Sequence, residues 1–276
     1  MGVLRDKKAI ITGGSRGIGF AVAAFFVKEG AEVMLAARSA EELAAAKAEL
    51  GHGKVHTHIS DVSREADVKA LIAAANKEMG GVDVLVNAAG IYGPIGPSAD
   101  VDVAKWRNTF EVNLFGTFYA FCEVVPLMMK QNGGKIINFS GGGDGPFPNF
   151  SAYSSSKVAI VRLTETLAEE VKQYHIDINA IAPGPVNTKI LEEGLAVGEK
   201  AVGKEKYAAF LKQKNEGGVP PEKAAELCVF LASSASDGLT GKFLSAVWDD
   251  YKHWDKAKIA EIMKSDAYTL RRIKPR

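Results

Sequence analysis

Apolar, β-branched runs alternate with helix-periodic runs from the first residues of this chain. KKAIIT is followed by IGFAVAAFFVKEG, then AEVMLAAR, then EELAAAKAEL. A strand that is apolar along its whole length needs cover on both faces, and strand–helix–strand order supplies that cover around a parallel sheet. Further strands are expected at 54–60 (KVHTHIS), 82–88 (VDVLVNA), 134–140 (GKIINFS), 176–182 (IDINAIA) and 242–247 (KFLSAV). The longest helical pattern covers 103–129, with an interruption expected near Pro126. About seven strands with no Pro/Ser-rich linker, repeat or low-complexity block predict one doubly wound α/β domain over residues 1–247, with helices on both faces of its sheet.

Two segments stand outside that alternation. Residues 185–218 are glycine-punctuated and charged, and sit where such sheets carry a lid; a solvated helical excursion is the other reading. Residues 248–276 form a tail with Trp248, Tyr251, Trp254 and a basic end, RRIKPR. It has the composition either to pack on a neighbouring subunit or to cover its own core.

Composition removes several function classes. Of 276 residues 47% are hydrophobic and 24% charged, and the net charge is +1, so the strong basic field of a nucleic-acid binder is missing. No nucleic-acid partner is expected. Cys122 and Cys228 lie in apolar helical contexts, which points to buried reduced thiols and a reducing, cytoplasmic compartment. The N-terminus lacks an apolar export segment and a myristoylation pattern, and the apolar run at 21–27 is far shorter than a membrane span, so no membrane association is expected. His56 and His58 share one face of a strand, yet no carboxylate or third ligand follows at metal-binding spacing, and no metal is assigned.

The turn after the first strand, ITGGSRGIGF, opens a helix. Gly13, Gly17 and Gly19 let backbone amides approach a pyrophosphate at the positive helix end. Tight strand-to-helix turns also need glycine; the strand–helix–strand context turns the pattern into a dinucleotide site. Farther on, Tyr153 and Lys157 in YSSSK are one helical turn apart and share a face.

The motifs TGGSRGIG, NAAG (87–90), YSSSK and the PG of IAPGPVNT, in that order and spacing, resemble the classical short-chain dehydrogenase/reductase family over about residues 5–247. The resemblance implies a Rossmann-type domain, a nicotinamide cofactor, hydride transfer to or from a carbonyl carbon, and a homodimer or homotetramer. It assigns Gly13, Ser15, Arg16, Gly17, Ile18 and Gly19 to the cofactor's phosphates, Asp61 and Val62 to its adenine, and Asn87, Ala88, Ala89 and Gly90 to its ribose side. Pro183, Gly184, Val186 and Thr188 are assigned to the segment around the nicotinamide amide, and Asn113 to a water in the proton relay. A backbone-bonding kink is a second role for Asn113, compatible with the first.

NADP(H) is expected over NAD(H). An acidic residue at the end of the second strand would repel a 2′-phosphate, but Ala36 and Ala37 are followed by Arg38, and Arg16 lies in the glycine turn. Solvated surface charge is the competing reading of both arginines. For catalysis, Tyr153 is expected to donate a proton to the carbonyl in reduction and accept one from the alcohol in oxidation, with Lys157 lowering the phenol's pKa. Ser140, 13 positions before Tyr153, is the favoured substrate-orienting hydroxyl, with glycines 141–143 giving it a path; the family's I-N-x-S-S pattern would instead place that role at Gly141. The substrate is expected to be a small carbonyl compound or alcohol, walled by 145–150 and 185–218. A cofactor-binding sensor or structural subunit with little turnover is the alternative, because such a fold does not guarantee catalysis.

Overall fold

The computed structural model describes residues 2–51, 54–141 and 145–272. Seven parallel strands form one sheet in the order β3-β2-β1-β4-β5-β6-β7. They are β1 (Lys8–Thr12), β2 (Glu32–Ala37), β3 (Val55–Ile59), β4 (Val84–Asn87), β5 (Gly134–Phe139), β6 (Ile176–Ala182) and β7 (Phe243–Ser245). β4 and β7 are shorter than the apolar runs that announced them. The chain winds outward from β1 in one direction and from β4 in the other, so a crevice opens at the carboxyl ends of these two strands. Register places Thr12 beside Asn87, and Asn87 beside Asn138, at that edge.

Alternating residues of the strands feed two cores. On one face Ala9, Ile11, Val33 and Leu35 pack under α1 (Gly17–Lys28), α2 (Ala40–Leu50) and, much later in the chain, the helix at Pro221–Ala232. On the other, Ile10, Met34 and Leu85 pack under α3 (Glu65–Met79) and the long helical segment that follows β4.

That long segment differs from expectation. It is α4 (Val103–Phe110), a π turn at Glu111–Phe115, and α5 (Gly116–Gln131), and α5 continues through Pro126. The break therefore falls at Asn113, where an inward polar side chain needs the extra residue that a wide turn provides. Burial of Val124, Val125 and Met128 against the sheet carries α5 past its proline. The segment 103–131 is also long enough to cross a membrane, and an 18-residue window within it is apolar enough, with a mean hydropathy of 1.4. Here its inward residues form core. Its outer face leaves Phe115 and Phe118 about two-fifths exposed, at 41% and 39%, and Cys122 lies there exposed rather than buried; Cys228 is buried.

After β5, α6 (Ser151–Val171) carries the Tyr/Lys pair. Residues 185–218 fold as α7 (Lys189–Ala196), α8 (Glu199–Val202) and α9 (Lys204–Glu216), separated by Gly198 and Gly203 at φ 83° and 89°. They are joined to β7 by α10 (Pro221–Ala232). The tail covers the molecule's own core. Tyr251 and, from α11 (Lys256–Met263), Ile259 and Ile262 belong to the first core, and Lys242 Nζ donates to the carbonyls of Ser265 and Ala267. Trp248, by contrast, is 86% exposed. Residues 273–276 of the basic end lie outside the described residues.

His56 bonds Glu32 at 2.8 Å and Glu78 at 3.0 Å, tying β3 to β2 and α3. Among the described residues no group of His, Cys, Asp and Glu is arranged to hold a metal.

Candidate active site

The nucleotide end is made of backbone. Gly13 has φ 67°, and a Cβ there would lie 3.0 Å from the Ala89 backbone; a Cβ on Gly19 would lie 2.3 Å from the Gly13 carbonyl oxygen. Only glycine permits this approach of turn, helix and strand end. Thr12, which the sequence reading passed over, fastens the two strand ends: its Oγ accepts from the amides of Ala88 and Ala89 at 3.2 and 3.3 Å. No side chain caps α1, which leaves its first amides for an anion.

A cleft of about 370 Å³ opens above this turn. Gly13, Ser15, Arg16, Gly17, Ile18, Gly19, Arg38, Asp61, Val62, Ala88, Ala89, Gly90 and Thr188 all line it, so most residues assigned to the cofactor converge on one cavity. The residues present therefore fit a dinucleotide. Asn87 does not line the cleft; it is 5% exposed and its Nδ2 donates to Asn138 Oδ1, linking β4 to β5. Pro183, Gly184 and Val186 lie off the cleft as well, with Gly184 at φ 83° wedged against Val247. Asp61 accepts from the Ser63 amide and hydroxyl through one carboxylate oxygen.

The inner end holds the titratable pair. α6 places Tyr153 and Lys157 on one face, with Lys157 Nζ 5.8 Å from the Tyr153 ring centroid and donating to the Phe139 carbonyl at 2.8 Å. A Cβ on Gly90 would be 3.3 Å from both Lys157 Nζ and Asn113 Oδ1, so this end adjoins the cleft. Asn113 Nδ2 donates to Ile91 O and Ser156 Oγ, its Oδ1 accepts from Ile91 N, and Ser156 Oγ donates to Tyr153 O. Asn113 thus grips the backbone beside Tyr153 from the π turn, the arrangement of the kink reading.

One expectation changes here. Burial, followed by the charge of Tyr92, pushes the Tyr153 phenol up rather than down, and burial holds Lys157 down at about 8. Desolvation disfavours the charged form of each. Burial therefore favours the protonated phenol at neutral pH. Ser140, the favoured substrate-orienting hydroxyl, is engaged elsewhere in this structure: its Oγ donates to the Lys157 carbonyl at 2.9 Å and the residue is only 3% exposed. The next residue faces Tyr153 instead. A Cβ on Gly141 would lie 3.4 Å from Tyr153 Oη, and Gly141 has φ 129°. Gly142 and Gly143, invoked for a path for Ser140, lie outside the described residues.

Aromatic side chains wall this end. The Tyr92 ring meets Tyr153 edge-on at 4.7 Å and Phe150 at 5.1 Å, while Phe147 stacks on Phe150 at 4.4 Å. α7, α8 and α9 contribute Leu191, Val202 and Phe210 to the same cluster, and Lys206 Nζ sits 4.3 Å over the Phe147 ring. The segment 185–218 is therefore a cover over Tyr153. Tyr92 and Phe210 were not anticipated; an aromatic two residues beyond NAAG was the available signal for the first, and none marked the second.

The chain is similar to known proteins over most of its length. The sequence model of short chain dehydrogenases matches residues 7–196. An uncharacterized oxidoreductase, YvrD, of Bacillus subtilis (strain 168) is 32% identical, covering 86% of this chain and 94% of its own. Levodione reductase of Leifsonia aquatica is 33% identical over 84% of this chain and 89% of its own. The crystal structure of levodione reductase superposes with a TM-score of 0.81 at 29% identity, covering 91% of this chain and 99% of the other. That of NAD+-bound xylitol dehydrogenase gives 0.81 at 27% identity, covering 88% and 98%. The chain belongs to the short-chain dehydrogenase/reductase family, and it is an oxidoreductase that transfers hydride at carbonyl or alcohol carbons.

Proposed function

We propose that this protein is an NADP(H)-dependent reductase of a carbonyl compound, reversible toward the secondary alcohol, with Tyr153 as its general acid and base. The observation that carries this reading is the position of Tyr153: it shares a face of α6 with Lys157, whose Nζ adjoins Gly90 on the cleft that the glycine turn lines. The nicotinamide, when bound, supplies the hydride in reduction and accepts it in oxidation. Tyr153, kept protonated by burial, donates its proton to the substrate oxygen in reduction and takes one from the alcohol in oxidation. Lys157, as a cation, stabilises the phenolate left behind. Asn113 positions Ile91 and, through Ser156, the Tyr153 backbone. The aromatic cluster excludes water and selects a substrate with apolar atoms beside its carbonyl.

Preference for the phosphorylated cofactor rests on Arg38, which is exposed, lines the cleft and pairs with no described residue, and on Ala37, which offers no carboxylate to a ribose hydroxyl. The exposed apolar face of α5, with Phe115 and Phe118, supports a homodimer or homotetramer. Residues 1–247 with the tail folded onto them are read as one unit, and the two thiols support a cytoplasmic setting.

The test is NADPH oxidation against a panel of aldehydes, ketones, keto-sugars and 3-oxoacyl thioesters, repeated with NADH. NADPH is expected to give the higher kcat/KM with at least one apolar ketone. The bare Gly141 favours a second reading, a cofactor-binding protein with little turnover. Tight NADPH binding without oxidation of any member of the panel would select it.

A further inference from the structure

We infer that Glu42 is a carboxylate brake on 2′-phosphate binding, and thereby sets how strongly the protein discriminates NADPH from NADH; this rests on the reading that the cofactor's adenosine end meets Arg16 and Arg38. Ser39 caps α2, its Oγ accepting from the Glu42 amide at 3.1 Å, so Ser39 and Glu42 have the S-x-x-E spacing of a capping box. In such a box the glutamate carboxylate returns to its own helix. Here it crosses to the glycine turn instead. Glu42 Oε1 takes an ion pair from Arg16 Nη1 at 2.6 Å, and Oε2 accepts from Ser15 Oγ at 3.1 Å. Both bonds lie on the wall of the nucleotide cleft, which Ser15, Arg16, Arg38, Ser39 and Glu42 line together.

The carboxylate thus takes up one of the two guanidinium groups that suit a phosphate, and adds a negative charge to the cleft wall that the other also lines. A dianionic 2′-phosphate must share or displace Glu42 to use Arg16, whereas a 2′-hydroxyl has no such conflict and finds an acceptor. The pair is nearly half exposed, at 45% and 40%, so it is weak enough to yield.

The experiment is direct titration of NADPH and NADH into the wild-type protein and Glu42→Gln, followed by nicotinamide fluorescence and by calorimetry at low and high salt. Glutamine preserves the Ser39 cap, which uses the backbone amide of residue 42. NADPH is expected to bind about ten-fold more tightly to Glu42→Gln, with NADH within about two-fold of wild type and the gain shrinking at high salt. Adding Arg16→Met should remove the gain. Affinities for both cofactors that move together, or do not move in a variant with an unchanged melting temperature, would overturn the inference and leave Glu42 as a tether between α2 and the turn. A wild-type protein that binds NADH at least as tightly as NADPH would instead overturn the NADP reading, while the change in the NADPH/NADH ratio on Glu42→Gln would still judge Glu42.

Discussion

The two ends of the cleft are built from opposite materials. The nucleotide end is mostly backbone, with the turn shaped by glycines within one stretch of eight residues and by Thr12 beneath them. The inner end is made of side chains from the loops after β4 and β5 and from α6, α7, α8 and α9, brought together by aromatic packing and by burial. In the function proposed above, the first end would hold the cofactor by backbone shape and by the charges of Arg16, Arg38 and Glu42 on its wall. The second would depend on protonation states that burial has moved.

The contrast is sharpest at Tyr153. Tyr153→Phe removes one oxygen from the catalytic end and nothing from the nucleotide end. Turnover should fall by about 10³-fold or more while NADPH affinity stays within about two-fold, as expected when only the transferable proton is lost. Steady-state assays beside fluorescence titration check both halves. Retention of more than a few per cent of activity would remove Tyr153 from its role and leave the aromatic end as packing alone.

Protonation gives a smaller and graded effect. Lys157 is held at about 8 by burial, so it carries its charge below that pH and loses it above. The cation is what stabilises the phenolate formed when Tyr153 gives up its proton. Reduction should therefore fall as pH rises through about 8, approaching about ten-fold per unit well above it, while cofactor binding through the glycine turn changes much less. A pH profile of kcat/KM, compared with Lys157→Met, measures this. A profile that stays flat to pH 10 would show that Lys157 acts through its bond to Phe139 and not through its charge.

The smallest effect is expected at Ser140. Its hydroxyl holds the loop after β5 to α6 through the Lys157 carbonyl. Ser140→Ala should lower stability by about 1 kcal/mol, visible in thermal melts, and reduce kcat by less than about ten-fold. A loss of about 10²-fold at unchanged stability would restore Ser140 as an oxyanion donor and make the catalytic end resemble the pattern expected from its spacing. Gly141→Ser adds a hydroxyl facing Tyr153 but places a side chain at φ 129°, so a melting temperature must accompany any rate measured for it.

How much was legible follows the same division. The glycine turn, the strands and the Tyr153/Lys157 spacing are short-range features, and each could be read because a turn, an alternation or a helical repeat is encoded within a few residues. The break in 103–131 was misplaced at Pro126, because proline is the visible local cause of a kink. The actual cause at Asn113 is a set of bonds to Ile91 and Ser156, 22 and 43 residues away. Glu42 was passed over for the same reason: its capping-box spacing predicts a bond within α2, and only the approach of α2 to the glycine turn offers its carboxylate a stronger partner in Arg16.

The sequence by itself determined the parallel strand–helix alternation, the glycine turn that opens α1 and the pairing of Tyr153 with Lys157 on one helix face, since these need only backbone preference and residue type in order. Tertiary structure alone decided which way the pKa of Tyr153 moves, which residue faces its hydroxyl, and that 185–218 covers it. Those outcomes depend on desolvation and on a one-residue difference in loop path. Both are properties of the assembled interior, where segments far apart in the chain set one another's solvent and geometry.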